Sequence, residues 1–121
     1  MIYAIGGRNS IFAGNGNDVI YGANREDRLY GQNGVDIIFG RDGNDELRGG
    51  DGHDLLDGGD DNDILNGGTG DDYLIGGDGN DLIDATSGID FIDAGDNDDI
   101  ILVNEEVKDI DGGSGNDKLS F

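Results

Sequence analysis

The chain contains no cysteine, no proline and no tryptophan among its 121 residues. Without cysteine it has no disulfide framework and no thiolate zinc site, which fits a bacterial-type extracellular protein without fixing the compartment. Without proline it has no rigid linker and no proline-rich ligand segment. No apolar run is long enough to span a membrane, and residues 1–12 lack the basic-then-apolar form of a secretory signal peptide.

Basic residues are also scarce, since seven of them face 28 acidic residues and the formal net charge is −21. This balance argues against binding to nucleic acid or to an anionic membrane surface, because both need basic patches. Only 34% of the residues are hydrophobic. Low hydrophobicity with a high net charge is typical of a chain that stays disordered unless something compensates. The composition therefore predicts bound cations.

Glycine is abundant, with 25 residues in the chain. The sequence also repeats with a period of nine residues. Every ninth residue from the second onward is isoleucine or leucine, although these two types make up less than a fifth of the chain. The members of this aliphatic column are Ile2, Ile11, Ile20, Leu29, Ile38, Leu47, Leu56, Leu65, Leu74, Ile83, Ile92, Ile101, Ile110 and Leu119. A repeat this regular predicts one structural unit used many times.

An aspartate column runs two residues before the aliphatic column, and glycines open most units. The unit reads GGxGxDxUx, where U is a large aliphatic residue, and residues 76–84 are its clearest copy. We number the positions 1 to 9, with aspartate at position 6. Asn9 precedes the column and Lys108 interrupts it once. The aspartates are Asp18, Asp27, Asp36, Asp45, Asp54, Asp63, Asp72, Asp81, Asp90, Asp99 and Asp117.

The unit predicts a turn followed by a short strand. Its first six positions are rich in Gly, Asp and Asn, which tolerate tight turns, and its last three form a strand with U pointing inward. One unit reverses the chain once, so two units make a full coil. Stacked coils about 4.8 Å apart give two parallel sheets face to face, roughly 30 Å long for six to seven coils.

Alternate aspartates then lie on the same edge of the stack. The first edge carries Asp18 to Asp90 in steps of two units, and the second carries Asp27 to Asp117 in the same steps. Carboxylates about 5 Å apart repel one another unless a cation bridges them. Carboxylates combined with turn carbonyls offer only oxygen, which suits calcium better than zinc or magnesium.

The repeat resembles the RTX (repeats-in-toxin) calcium-binding nonapeptide family over nearly the whole chain. The resemblance implies an all-β fold, a right-handed parallel β-roll with two nonapeptides per 18-residue coil. We expect a single domain over 1–121, with an atypical N-terminal cap repeat at 1–17 and degenerate C-terminal repeats at 103–121. Only residues 118–121 follow Asp117, whereas the family's export signal lies beyond the repeats. We therefore expect a fragment of a larger secreted polypeptide or export by another route.

The resemblance also implies the ligands of each ion, which sits between turns one coil apart. The upper turn gives the carbonyls of positions 2 and 4 with its aspartate, and the lower turn gives those of positions 1 and 3 with its aspartate. Neighbouring aspartate pairs number nine, so about nine Ca²⁺ ions would bring +18 against −21. The candidate carbonyls are those of Gly14, Gly16, Gly31, Gln32, Asn33, Gly34, Gly40, Arg41, Asp42, Gly43, Gly49, Gly50, Asp51, Gly52, Gly58, Gly59, Asp60, Asp61, Gly67, Gly68, Thr69, Gly70, Gly76, Gly77, Asp78, Gly79, Ala85, Ser87, Ala94, Gly95, Asp96, Asn97, Gly112 and Ser114.

Some units depart from the pattern. Arg25 and Asn97 replace the position-4 glycine, so the turns before Asp27 and Asp99 are expected to cost more to form. Lys108 is expected to end the first edge at Asp90. Asn9 could add one weaker site at the top of the second edge, and His53, at position 5, is expected to be a solvated loop residue.

The outward residues of the first-edge sheet form an apolar ladder. It is either ordinary β-propensity on a half-exposed sheet or a docking surface for a partner, another copy or a polysaccharide. Its members at position 7 are Val19, Ile37, Leu55, Tyr73 and Phe91.

Two functions follow from these features. The first is a calcium-binding module that folds outside the cell and supports type I secretion and folding of a larger protein. The alternative is an extracellular adhesion module that uses the ladder. Catalysis is not expected, because the carboxylates repeat in identical settings and no catalytic motif is present.

Overall fold

The computed structural model describes residues 1–106 and 109–121 as a stack of short β-strands. None of the described residues belongs to a helix long and apolar enough to cross a membrane. The fourteen strands of the described chain are β1 (Ile2–Tyr3), β2 (Ser10–Asn15), β3 (Val19–Tyr21), β4 (Arg28–Asn33), β5 (Ile37–Asp42), β6 (Glu46–Asp51), β7 (Leu55–Asp60), β8 (Ile64–Thr69), β9 (Tyr73–Asp78), β10 (Leu82–Ala85), β11 (Phe91–Asp96), β12 (Ile100–Val103), β13 (Asp109–Asp111) and β14 (Lys118–Ser120).

Successive strands alternate between two parallel sheets. The odd-numbered strands form one seven-stranded sheet and the even-numbered strands form the other. Each strand pairs with the strand one coil away at a constant offset of two repeat units, as in Ile38 with Leu56 and Leu47 with Leu65. The predicted all-β solenoid of two parallel sheets, with two repeat units per turn, is confirmed.

The aliphatic column fills the space between the sheets. From Ile20 to Ile101 every member of the column is buried. Ile2, Ile11 and Ile110 are only partly buried, because they belong to the first and last coils. One large side chain in each repeat unit makes a thin core, so burial of apolar surface contributes less here than in an ordinary domain of this length.

Most strands are twice as long as the three-residue strands that we predicted. They contain six residues, because positions 1 to 3 also pair with the neighbouring coil, as Gly59 does with Gly77. The turn makes its backbone hydrogen bonds to the next coil, and Gly52 N–H donates to the Thr69 carbonyl at 2.9 Å. The three-residue prediction was wrong because it treated the turn as closed on itself.

Among the turns that follow strands β2 to β12, three break this regularity. Strands β3, β10 and β12 stop early, and the turns that follow them have Ala23, Thr86 and Asn104 at position 2. None of these three residues adopts the positive φ that most other units have at this position. The irregular turns all lie close to places where an aspartate column begins or is interrupted.

Candidate metal centre

The two edges of the stack hold the aspartate columns. The nine aspartates from Asp27 to Asp99 are each no more than 3% exposed, whereas Asp18 and Asp117, at the ends, are half-buried. The aspartate at position 6 is the last residue of each turn, directly before the strand, and its side chain is buried under the stacked backbone. We call the space between two turns one coil apart on the same edge a gap, and name it by its two aspartates.

One oxygen of each carboxylate is used to join the coils. The Oδ1 atom of Asp72 accepts the backbone N–H of Asp54 at 2.8 Å, and Oδ1 of Asp81 accepts that of Asp63 at 2.8 Å. The same bond links every neighbouring pair of the two columns from Asp18 to Asp90 and from Asn9 to Asp117. The aspartates therefore fix the spacing of the turns as well as their charge.

The second oxygen of most of these carboxylates has no protein partner. Among the described residues, eight buried Oδ2 atoms lack a hydrogen bond, and they belong to Asp36, Asp45, Asp54, Asp63, Asp72, Asp81, Asp90 and Asp99. A buried carboxylate oxygen without a partner costs several kcal/mol, roughly, and is rare in folded proteins. Eight such oxygens in register favour bound cations as their partners.

The pKa values of these carboxyls also indicate that the buried charge needs a cation. Burial, with a smaller contribution from the neighbouring aspartates, raises the pKa of Asp63 to about 8 and that of Asp45 to about 7. It raises the pKa values of Asp54, Asp72 and Asp81 to about 6. Such carboxyls resist ionisation in the folded chain unless a cation stabilises the charge.

Carbonyl oxygens from the next coil face the same space as the unpaired oxygens. A methyl group built on Gly49 would collide with both Asp54 Oδ2 and the Gly67 carbonyl oxygen. The same double collision occurs at Gly58, where the atoms are Asp63 Oδ2 and the Gly76 carbonyl oxygen. Glycine at position 1 therefore leaves a cradle lined by a carboxylate and a position-1 carbonyl of the following turn.

The other carbonyls alternate in direction along the turn. Methyl groups on Gly68 and Gly70 would collide with the carbonyl oxygens of Gly50 and Gly52, so positions 2 and 4 point toward the following coil. The Thr69 carbonyl at position 3 points back toward the preceding coil, where it accepts the Gly52 N–H. The residues predicted around one ion are thus brought to one gap from two adjacent turns.

Side-chain groups alone would not form this centre. Within residues 1–106 and 109–121, no three acidic or histidine side chains come together as a metal cluster. The gap instead combines paired carboxylates with backbone carbonyls, an all-oxygen set that matches the preference of Ca²⁺ for six to eight oxygen ligands. The residues present therefore fit calcium, and they fit it only through the fold.

A family model supplies the comparison with known proteins. The model of the RTX calcium-binding nonapeptide repeat matches residues 3–28, 14–47, 21–56, 39–74, 57–92, 75–105 and 109–120. The chain belongs to this family. Its repeats are therefore calcium-binding repeats of the RTX type, as their residues predicted. No curated protein matches the chain.

The irregular units behave differently from one another. Asn97 adopts φ of +84° and Asp61 adopts +78°, so both keep the turn that glycine makes elsewhere. The Asp27 turn does not: its Oδ2 accepts the Ala23 N–H at 2.8 Å. Lys108, predicted to end the first edge, lies outside the described residues.

A further ladder at position 5 was missed by the sequence reading. The Asn62 Oδ1 atom accepts the Asn80 N–H at 2.7 Å, and Asn44 does the same for Asn62 at 3.0 Å. His53 is exposed, as predicted, but its Nδ1 accepts the Asp71 N–H at 2.8 Å. The recurrence of Asn at position 5 on the second edge was the signal that could have revealed this ladder.

The apolar ladder lies on the outer face of the first-edge sheet. Val19, Ile37 and Leu55 are half-buried by their neighbours, while Tyr73 and Phe91 are 46% and 41% exposed. The rings of Tyr73 and Phe91 stack with centroids 6.4 Å apart. The exposed part of the ladder is therefore small, and its role as a docking surface stays a prediction.

Proposed function

We propose that this chain is a calcium-dependent folding module of an extracellular protein, which is unfolded where calcium is scarce and folded where it is abundant. The observation that carries the proposal is the set of eight buried Oδ2 atoms without a partner. These oxygens are costly without a cation, so binding of the ion would contribute directly to folding. The thin core offers little else to offset the conformational entropy of the chain.

The aspartate pairs suggest how many ions this module holds. In seven gaps the upper aspartate has an unpaired buried Oδ2 and the turns on both sides are described, and the Asp18–Asp36 gap is an eighth, more open site. We exclude the Asp27–Asp45 gap, because a backbone N–H already occupies Asp27 Oδ2. We therefore propose eight ions per chain, one fewer than the nine aspartate pairs predict.

Family membership supports the extracellular setting. Extracellular calcium modules bind with dissociation constants of about 0.1–1 mM, far above cytosolic calcium. A chain of net charge −21 would then stay extended inside the cell, which suits passage through a type I secretion channel, and would fold on arrival. The folded roll would also help an attached part of a larger polypeptide to fold.

The test is a calcium titration of the purified chain followed by far-UV circular dichroism. We expect a disordered spectrum in chelator and a β-sheet spectrum at millimolar calcium, with magnesium at the same concentration giving little change. A spectrum that is the same in chelator and in calcium would contradict the proposal.

The alternative is an adhesion module that uses the apolar ladder, and exposure of Tyr73 and Phe91 favours it. Replacing both residues with serine should leave calcium binding unchanged, since they point away from the gaps. Sedimentation and retention on an immobilised polysaccharide, compared with the parent chain, measure the effect. If both readouts are unchanged in the variant, the ladder is only the outer surface of a sheet.

A further inference from the structure

Each aspartate column has one end at which an asparagine amide lies in the next gap. These are the top of the second edge and the bottom of the first edge. The top gap of the second edge lies between the Asn9 and Asp27 turns, and the bottom gap of the first edge lies below the Asp90 turn. Each of these gaps has only one aspartate by sequence, because Asn9 and Lys108 take the place of the second. A divalent ion in either gap would lack one of its two carboxylates.

At the bottom of the first edge, an asparagine bonds to the carbonyls that elsewhere face a gap. The Asn104 Nδ2 group donates to the carbonyl oxygens of Thr86 at 3.0 Å and Gly88 at 3.1 Å. These are positions 2 and 4 of the upper turn, the pair predicted to bind an ion in the regular gaps. The Asn104 Oδ1 atom accepts the Glu106 N–H at 2.7 Å, which orients the amide.

At the top of the second edge, another asparagine does the same from the opposite side. The Asn9 Nδ2 group donates to Asp27 Oδ1 at 2.9 Å and to the Gly7 carbonyl at 3.3 Å. Gly7 stands at position 4 of the upper turn, and Asp27 is the aspartate of the lower turn. Both atoms belong to the ligand set that a calcium ion would use in this gap.

We propose that the side-chain amides of Asn9 and Asn104 take the place of calcium as plugs in the two end gaps. The Asn9 amide bonds the carboxylate and a carbonyl of its gap, whereas the Asn104 amide bonds the two carbonyls and leaves Asp90 Oδ2 without a protein partner. This inference rests on the proposed calcium function. An amide NH₂ has two donors for two oxygens and no charge, which suits a gap with one carboxylate. A calcium ion suits a gap with two carboxylates, whose repulsion an amide cannot cancel.

Substitutions that restore the repeat test the top plug. Asn9→Asp removes the donor and creates a second carboxylate, so we expect one more calcium ion per chain than in the parent, counted by native mass spectrometry. Asn9→Ala removes the donor without adding a carboxylate and should leave the count unchanged. An Asn9→Asp chain that folds and binds the parental number of ions would contradict the plug.

The bottom plug has its own test. Asn104→Gly combined with Lys108→Asp frees the two carbonyls and restores the aspartate pair, so one further ion is expected. Asn104→Gly alone should add none, because position 6 of that repeat unit is lysine rather than aspartate by sequence. Combining this pair with Asn9→Asp should add two ions to the parental count.

Crystals of the unsubstituted chain decide the matter even if the variants fail to fold. Anomalous scattering should show calcium in the eight gaps proposed above and none beside the Asn9 or Asn104 amides. Calcium in both end gaps would overturn the plugs while leaving the proposed function intact. A parent chain that binds no calcium at all would instead remove the proposed function on which the plugs rest.

Discussion

The N-terminal segment 1–48 and the following segment 49–121 build the same coils with different forces. The first segment contains seven acidic and five basic residues, whereas the second contains twenty-one acidic and two basic residues. Of the eight unpaired buried Oδ2 atoms of the described chain, two belong to the first segment, at Asp36 and Asp45, and six belong to the second. The charge that needs calcium is therefore concentrated away from the N-terminal coils.

The N-terminal coils have contacts that need no metal. Tyr21 stacks on Tyr3 and on Phe39, with ring centroids 4.9 and 5.2 Å apart, and the Arg41 guanidinium lies 5.1 Å from the Tyr21 ring. The Asn9 amide adds its hydrogen bond to Asp27 at 2.9 Å. These contacts replace part of what ions supply elsewhere. The comparison teaches that one repeat can be stabilised by ions or by side-chain ladders.

The largest contrast between the two regions should appear when single aspartates are replaced. Asp63→Asn removes a carboxylate shared by two gaps, so we expect the loss of two of the eight ions and a large rise in the calcium needed for folding. Asp27→Asn should keep the parental ion count, because backbone N–H groups and the Asn9 amide already bond to both Asp27 oxygens. Isothermal titration calorimetry measures both quantities. Equal ion losses in the two variants would erase the distinction between the regions.

A smaller contrast is expected between two glycines at position 4. Gly70→Ala and Gly16→Ala both place a side chain at positive φ, of +122° and +114°, at a cost of about 1–2 kcal/mol. The methyl group on residue 70 also collides with the Gly52 carbonyl oxygen, which adds about 1–3 kcal/mol, whereas residue 16 has open space.

Thermal melts in saturating calcium measure this glycine pair. The Gly70→Ala chain should melt at a clearly lower temperature than the Gly16→Ala chain. Equal melting temperatures would mean that the two coils are not packed as differently as the structure shows.

Changing pH should act on the metal-free chain through the buried aspartates. Burial raises the pKa values of Asp45 and Asp63 to about 7 and about 8 in the folded chain, from an ordinary value of 3.8. As pH rises from 4 to 8, the unfolded chain loses these protons first, so the folded state loses stability. In calcium-free buffer the folded fraction should be larger at pH 4.5 than at pH 8, measured by circular dichroism.

Calcium should reverse this dependence, because the ion competes with protons for the same oxygens. Calcium affinity should therefore rise between pH 5 and pH 8. A calcium-free chain that gains stability over this pH range would contradict the assigned burial of the aspartates.

The smallest effect is expected at the arginines of the N-terminal coils. Arg48→Gln removes the ion pair with Glu46 and the contact with the Tyr30 ring, 5.6 Å away, both at an exposed position. The free energy of unfolding should fall by about 0.5–1 kcal/mol, less in high salt, with no change in the ion count. A denaturant titration in saturating calcium measures it, and a change in the ion count would place this arginine in the calcium-binding part.

The sequence was sufficient to predict the coil and the aspartate columns because both depend on a strict period. The inward aliphatic at position 8 fixes the sheet faces, and the constant step of two units fixes which aspartates stack. The period could not show that the turn bonds to the next coil, which doubled the length of most strands. Whether the turn's backbone groups bond within the turn or to the next coil depends on how the coils stack, and the sequence of one repeat unit does not contain that information.

The ends of the columns were harder to predict for a related reason. Asn9 differs from aspartate by one amide group, and the sequence suggested only a weaker metal site there. The structure shows a donor directed at Asp27 Oδ1. Asn104 stands at position 2, where the repeat expects glycine, and its bonds to two carbonyls depend on the coil above it. The role of a residue that departs from the repeat therefore depends on the residues one coil away that it contacts.

The central claim is that calcium holds the stacked carboxylates together and that the coils depend on it. Its most direct test counts the calcium ions bound per chain while compaction is followed by small-angle scattering in the same titration. The account predicts an expanded chain in excess chelator and about eight ions bound in one cooperative step that coincides with compaction. A compact chain with a cooperative melting transition in excess chelator at pH 8 would contradict it.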